Sequence, residues 1–232
     1  LALDILKTDL ESMVVRQTQY NQEWLVSEPV LVEGLQSTRL LFFAPAMDRK
    51  QDDPGDIVAI SYQTALQDPI SPGSNFEPIF GLYKGMTDTL VAFNFALGIT
   101  DLKTFWDNSS NPLQFSWGET MTPVELALDT RGFLAPNVVR FELSWWIRDL
   151  QNPSDPLTRF GPEREIRLSN ELYVDGNPTP LKGKIEAVEV NLTSISDEGM
   201  RRYAFLGGGA AELENIIQEF GRTHTLRIPI SY

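Results

Sequence analysis

LALDILKTDLESMVVRQTQYNQEWL, residues Leu1 to Leu25, is the stretch whose reading decides the fold. Leu3, Leu6, Leu10, Met13, Gln17, Tyr20 and Trp24 recur at alternating steps of three and four, which places them on one stripe of a helix. Asp4, Lys7, Glu11, Arg16 and Gln22 lie off that stripe. A continuous helix over this stretch would run roughly 37 Å at about 1.5 Å per residue. It starts at the first residue with no capping Ser, Thr, Asp or Asn ahead of the apolar positions, so it reads as the second half of a longer helix. The later turns, with Met13, Tyr20 and Trp24, are expected in the core. The first turns, with Leu3 and Leu6, are expected to stand clear of it, apolar yet exposed.

The rest of the chain reads outward from that helix as antiparallel sheet. Ser27-Glu28-Pro29 suggests a turn, and Arg39 to Phe43 a short buried strand. Asp48 to Asp56, DRKQDDPGD, is a charged loop. Ile57 to Leu66 alternates, with Val58, Ile60, Tyr62 and Leu66 on one face, and Pro78 to Met86 is its return strand. Leu90, Phe93, Phe95 and Leu97 permit either strand or helix, while Asp101 to Asp107 suggests a helical turn around Phe105 and Trp106. Asn137 to Asp149 has the clearest half-buried strand pattern, with Val139, Phe141, Leu143, Trp145 and Ile147 facing one way. Strands are also expected at Arg164 to Val174, turned by Asp175-Gly176-Asn177, and at Ile185 to Ile195. Asp197 caps a short helix, Gly207 to Gly209 breaks it, and Ala210 to Phe220 forms another that ends at Gly221. His224 to Tyr232 is a last strand, placed at an edge by Pro229. The fold class is therefore α+β: a long N-terminal helix (1–25) on an antiparallel sheet domain (26–232), one structural unit, with short C-terminal helices.

The totals narrow the function. The 19 basic residues against 32 acidic ones give a net charge of −13, with no Lys/Arg stripe to follow a phosphate backbone, which argues against nucleic acid. Without cysteine, thiolate zinc sites and cysteine nucleophiles are excluded, and an extracytoplasmic setting without disulfides is compatible. The longest apolar run, Leu40 to Met47, is too short to cross a membrane as a helix.

No arrangement of residues announces catalysis. His224, the only histidine, falls in a strand, and a base needs an orienting partner and a nucleophile. Asp52, Asp53 and Asp56 are the weak candidates for a hard cation, but their spacing matches no EF-hand loop and a solvated acidic turn accounts for them. Gly207 to Gly209 precedes a helix without a Walker lysine and reads as a hinge. Glu119, Glu125 and Asp129 have the residue types of a glycosidase pair without a readable separation. Trp145 and Trp146 point to opposite sides of their strand, one to the core. Trp106, Trp117 or Trp146 could serve a secreted β-rich module as a glycan platform. No catalytic residue, cofactor or metal is expected.

Four stretches carry a family resemblance: Asp9 in DILKTDLESMVVR; VAISYQTAL (58–66) with Tyr62, followed by GLYKG (81–85) with Lys84; LAPNVVRFELSWWIRD (134–149); and LKGKIEAVEVNLTSISDE (181–198). Their order resembles the soluble part of type IV pilin-like proteins, and more specifically the minor, J-type pseudopilins of type II secretion. Lys84 stands where that pattern has Arg, and Lys182 where it has Pro. The Gly-rich break and the 210–220 helix depart from the secretion pattern and are closer to other pilin-like proteins. The resemblance implies a non-enzymatic subunit that joins pilin-like or pseudopilin partners in a filament or its tip. It implies a position on the periplasmic side of a bacterial inner membrane, held by a segment upstream of Leu1. The assembly interface it implies is Leu3, Leu6 and Leu10. The rival reading is the secreted binding module.

Overall fold

The computed structural model describes residues 1–15, 22–46, 56–67, 78–86, 89, 92, 102, 113–114, 120–121, 132–207 and 209–231. Strands β1 (Leu25–Val32), β2 (Leu35–Pro45), β3 (Ile57–Gln67) and β4 (Ile79–Met86) follow one another as an antiparallel meander. Two short β5 and β6 strands (Leu113–Gln114, Thr120–Met121) pair apart from it. β7 (Phe133–Pro136) adds to β4, while β10 (Ile166–Leu168) and β11 (Leu172–Val174) add to β1, giving the order β11-β10-β1-β2-β3-β4-β7. The second sheet has the order β13-β12-β8-β9, from β8 (Val138–Asp149), β9 (Thr158–Phe160), β12 (Gly183–Ile195) and β13 (Gly221–Pro229).

The two sheets share one core. Leu40, Phe42, Ile60 and Tyr62 of the first meet Phe141, Leu143, Trp145 and Val190 of the second. The other face of the first sheet is also covered: Val26, Leu41, Phe43 and Ala59 cluster there with Trp24 and Leu102. Burial on both faces explains why β2 reads as an unbroken apolar run instead of an alternation. Hydroxyl side chains stitch the layers together. Ser37 Oγ donates to the Phe141 carbonyl (2.9 Å) and accepts from the Phe141 N–H (3.2 Å), and Thr38 Oγ1 accepts from the Leu143 N–H (3.2 Å). β9 pairs β8 only over Trp145 to Ile147, so these hydroxyls satisfy the part of the β8 edge that β9 does not reach.

The long helix is corrected. Helix α1 spans Ala2–Glu11, not residues 1–25. Ser12 turns the chain, and the Val14 N–H then bonds the Phe43 carbonyl at 2.8 Å, an extended arrangement that suits the β-branched Val14 and Val15. Met13 and Trp24, expected on one stripe, are both buried but on opposite faces of the first sheet. A single helix could not place them so. Tyr20 lies outside the described residues, as does most of 87–107 and of the acidic loop.

Other boundaries move for local reasons. Ser27 to Pro29 is not a turn but the middle of β1. The turn is Glu33-Gly34, whose φ values of 50° and 80° close a two-residue hairpin between Val32 and Leu35. Pro29 is tolerated because β10 pairs β1 only over Leu25 to Ser27, leaving an open side beyond it. The strand expected at 164–174 is a hairpin, β10 and β11, folded at Ser169 to Glu171. The strands expected at 57–66, 78–86, 137–149 and 185–195 are present within a residue or two.

Two C-terminal helices, α2 (Asp197–Leu206) and α3 (Ala210–Phe220), close one end of the core through Met200, Tyr203, Leu213 and Ile216. The cap of α2 is Ser196, which accepts from the Gly199 N–H; Asp197 instead accepts from Asn137. Gly207 ends α2 at φ 57°, as a left-handed cap should. Gly221 follows α3 with an extended backbone, and its lack of a side chain is needed for another reason: a Cβ there would lie 2.3 Å from the Ile217 carbonyl oxygen.

Candidate functional site

Helix α1 is where the features expected of a functional surface meet the fold. Its two ends differ. Leu1 is 90% exposed and its amino group pairs with Asp4 (3.0 Å). No side chain caps the helix. Leu6 and Leu10 are fully buried in the shared core, and Leu3 packs half-buried against it. The expectation that Leu6 stands exposed with Leu3 is therefore overturned: α1 is too short to leave its first turns clear, so the core takes the stripe from Leu6 onward. Of the three residues assigned to an assembly interface, only Leu3 offers surface.

The C-terminal turn of α1 carries Asp9 and Glu11 and no basic residue, which opposes the helix dipole. Asp9 is compensated from the sheet. The Tyr62 hydroxyl donates a short hydrogen bond to Asp9 Oδ2, and Lys84 Nζ lies 2.5 Å from the same oxygen. Tyr62 and Lys84 are cross-strand neighbours on β3 and β4, with the ammonium 6.0 Å from the ring centroid. Burial first, then the bond to Asp9 and its charge, push the Tyr62 phenol well above the usual tyrosine range. It stays a donor at every physiological pH. The three groups pin α1 to the first sheet, while its opposite flank packs on β13 of the second.

The remaining candidates do not converge. Asp52 and Asp53 lie outside the described residues; Asp56 is exposed, and its carbonyl accepts from the Ala46 N–H. No group of three or more His, Cys, Asp or Glu suited to a metal occurs among the described residues. His224 is exposed on β13. Glu119, Glu125, Asp129, Trp106 and Trp117 lie outside the described residues. Trp145 is core, its indole N–H donating to Ser27 Oγ at 3.0 Å. Trp146 is half-buried on the outer face of the second sheet, with the Arg227 guanidinium 4.4 Å from its ring centroid. A sugar ring would find that face of the indole taken.

Sequence reading missed two interior ion pairs, because Glu23 and Glu28 fall in stretches that read as helix and turn, and only Arg39 and Arg167 fall in strand-like runs. Glu28 and Arg39 pair across β1 and β2. Glu23 accepts from the Leu102 N–H (2.6 Å) and pairs with Arg167 (3.2 Å), tying the chain before β1 to β10.

No family model matches the chain, and no curated protein matches it. Among solved structures it is similar to a type IV-like pilin from Thermus thermophilus, at 10% identity over 99% of this chain and 92% of that one, with a TM-score of 0.42. A likeness of that size carries no argument about function.

Proposed function

We propose that this chain is a non-enzymatic pilin-like or pseudopilin-like subunit. It assembles into a filament or its tip on the periplasmic side of an inner membrane, in secretion or a related envelope system. The supporting observation is the meeting of Asp9, Tyr62 and Lys84. These residues come from three separate stretches that carry the family resemblance, and they form one linked cluster between helix and sheet. Such a cluster suits a subunit that receives load through its N-terminal helix, because it ties the last turn of α1 to two strands. Leu1 and Leu3, at the other end, are the residues that a helix continued upstream would present to neighbouring subunits. The glycan-binding alternative loses ground at Trp146, whose ring is covered by Arg227.

The test is made with the full-length gene product in its own cells, carrying a photo-crosslinking residue at Leu3. Crosslinks to other pilin-like chains in the membrane fraction are expected. Release of the protein to the medium after removal of a signal peptide, with no crosslinked partner, would reject the filament reading.

A further inference from the structure

Four strands end the two large sheets, and three of them are blunt. β11 and β9 have three residues each, and β7 has four, ending in Pro136. Short edges are a common protection against unwanted pairing. β13 is the exception. It runs nine residues and pairs β12 without a bulge from Gly221 to Pro229. The Ile230 N–H bonds the Glu186 carbonyl of the preceding β12 register, so by the two-residue repeat the backbone groups of Thr223, Thr225 and Arg227 point away from β12. Pro229, which has no N–H, sits in the same outward set. Arg222 to Thr225 and Arg227 are exposed, and among the described residues no strand pairs with this edge.

Charge supplies an independent observation. In a chain of net charge −13, every other described arginine, from Arg39 to Arg202, has a carboxylate within salt-bridge distance. Arg222 and Arg227 have none among the described residues, and both lie on β13. Arg227 is held by its stack on Trp146, which leaves the N–H rim of the guanidinium available for a carboxylate. Two unpaired cations and an open row of backbone donors and acceptors coincide on the one long edge.

The geometry points to β13 as a docking edge that takes an extended acidic segment of a partner protein as a fifth strand of the second sheet. Backbone bonds to Thr223, Thr225 and Arg227 supply the ladder, and carboxylates on the incoming strand meet Arg222 and Arg227. Although one flank of α1 packs on β13, docking at the outward edge of β13 does not depend on the filament reading.

Arg222 and Arg227 are five residues apart and so project from opposite faces of β13. Capped ten-residue peptides repeating Thr-Glu-Glu, with Glu on both faces, and controls repeating Thr-Lys-Lys, would therefore be titrated into the 232-residue chain while amide hydrogen exchange is followed. The Glu peptide is expected to protect the Thr223, Thr225 and Arg227 amides. Its affinity should fall about tenfold or more in R222E/R227E, with folding checked by circular dichroism because Arg227 stacks on Trp146. Thr225→Pro removes an outward donor without touching the ladder to β12 and should also abolish the protection; a circular dichroism spectrum checks its folding. Equal binding of the Lys peptide, or no protection at these amides, would overturn the assignment. So would protection that grows with protein concentration alone, because the occupant would then be a second copy of the chain.

Discussion

At the scale of single residues, Asp9 is the most informative position. It is a carboxylate at the wrong end of a helix, held there by a phenol and an ammonium. Tyr62→Phe and Asp9→Asn are each expected to cost about 1–3 kcal/mol in urea unfolding, and their double mutant less than the sum, since they delete one shared interaction. Lys84→Arg should be nearly neutral, because a guanidinium can keep the pair. Additive losses would mean that the three groups act independently. Glu142 offers a test by pH. Burial raises its pKa, Arg140 and Arg159 oppose this, and Glu214 adds to it, with a net upward shift. A carboxyl whose folded pKa is raised favours the fold when protonated, and that contribution is lost as pH rises through the raised value. Glu142→Gln should therefore be more stable than the parent at neutral pH and equal to it below the ordinary glutamate range, as read from denaturant midpoints at each pH.

At the scale of elements, α1 and β8 show what could be read from the sequence. The alternation in 137–149 was legible because one face meets the core and the other is polar, and Phe141, Leu143, Trp145 and Ile147 are all buried as expected. The stripe in 1–25 was misleading because an apolar residue every three or four positions also arises when a short helix is followed by extended chain crossing a sheet. Leu6→Ala and Leu10→Ala are expected to cost about 2–5 kcal/mol each, and Leu1→Ser less than about 0.5 kcal/mol. Comparable thermal melts for all three would put the helix outside the core. The stitching of β8 to β2 was invisible in sequence, since nothing distinguishes Ser37 from a solvent-facing serine until its partner 104 residues away is known. Ser37→Ala strands a buried N–H and carbonyl, so a loss of about 1–3 kcal/mol is expected, with faster exchange at the Phe141 amide.

At the scale of the whole molecule, the antiparallel sheet and the short C-terminal helices were legible, while the long N-terminal helix was misread and the layering was not visible. Local patterns identify strands, but which strands share a sheet depends on pairings distant in sequence, such as β1 with β10 and β4 with β7. That arrangement has a consequence for how the chain comes into being. The centre of the first sheet is complete once Met86 has been made, yet the strand that closes its β4 side begins at Phe133, and the whole facing sheet comes later still. At about 5–20 residues per second of synthesis, the interval is roughly 2–10 seconds. Throughout it, Leu40, Phe42, Ile60 and Tyr62 lack the facing sheet and have α1 as their described cover, whether the chain is leaving a ribosome or being threaded through a membrane pore from its N-terminus. Chains arrested at residue 110 should therefore be cut by protease as readily as an unfolded chain, and chains arrested well beyond residue 195 should resist it. The molecule is thus expected to need a holding chaperone during the middle of its own synthesis and to do without one at the end.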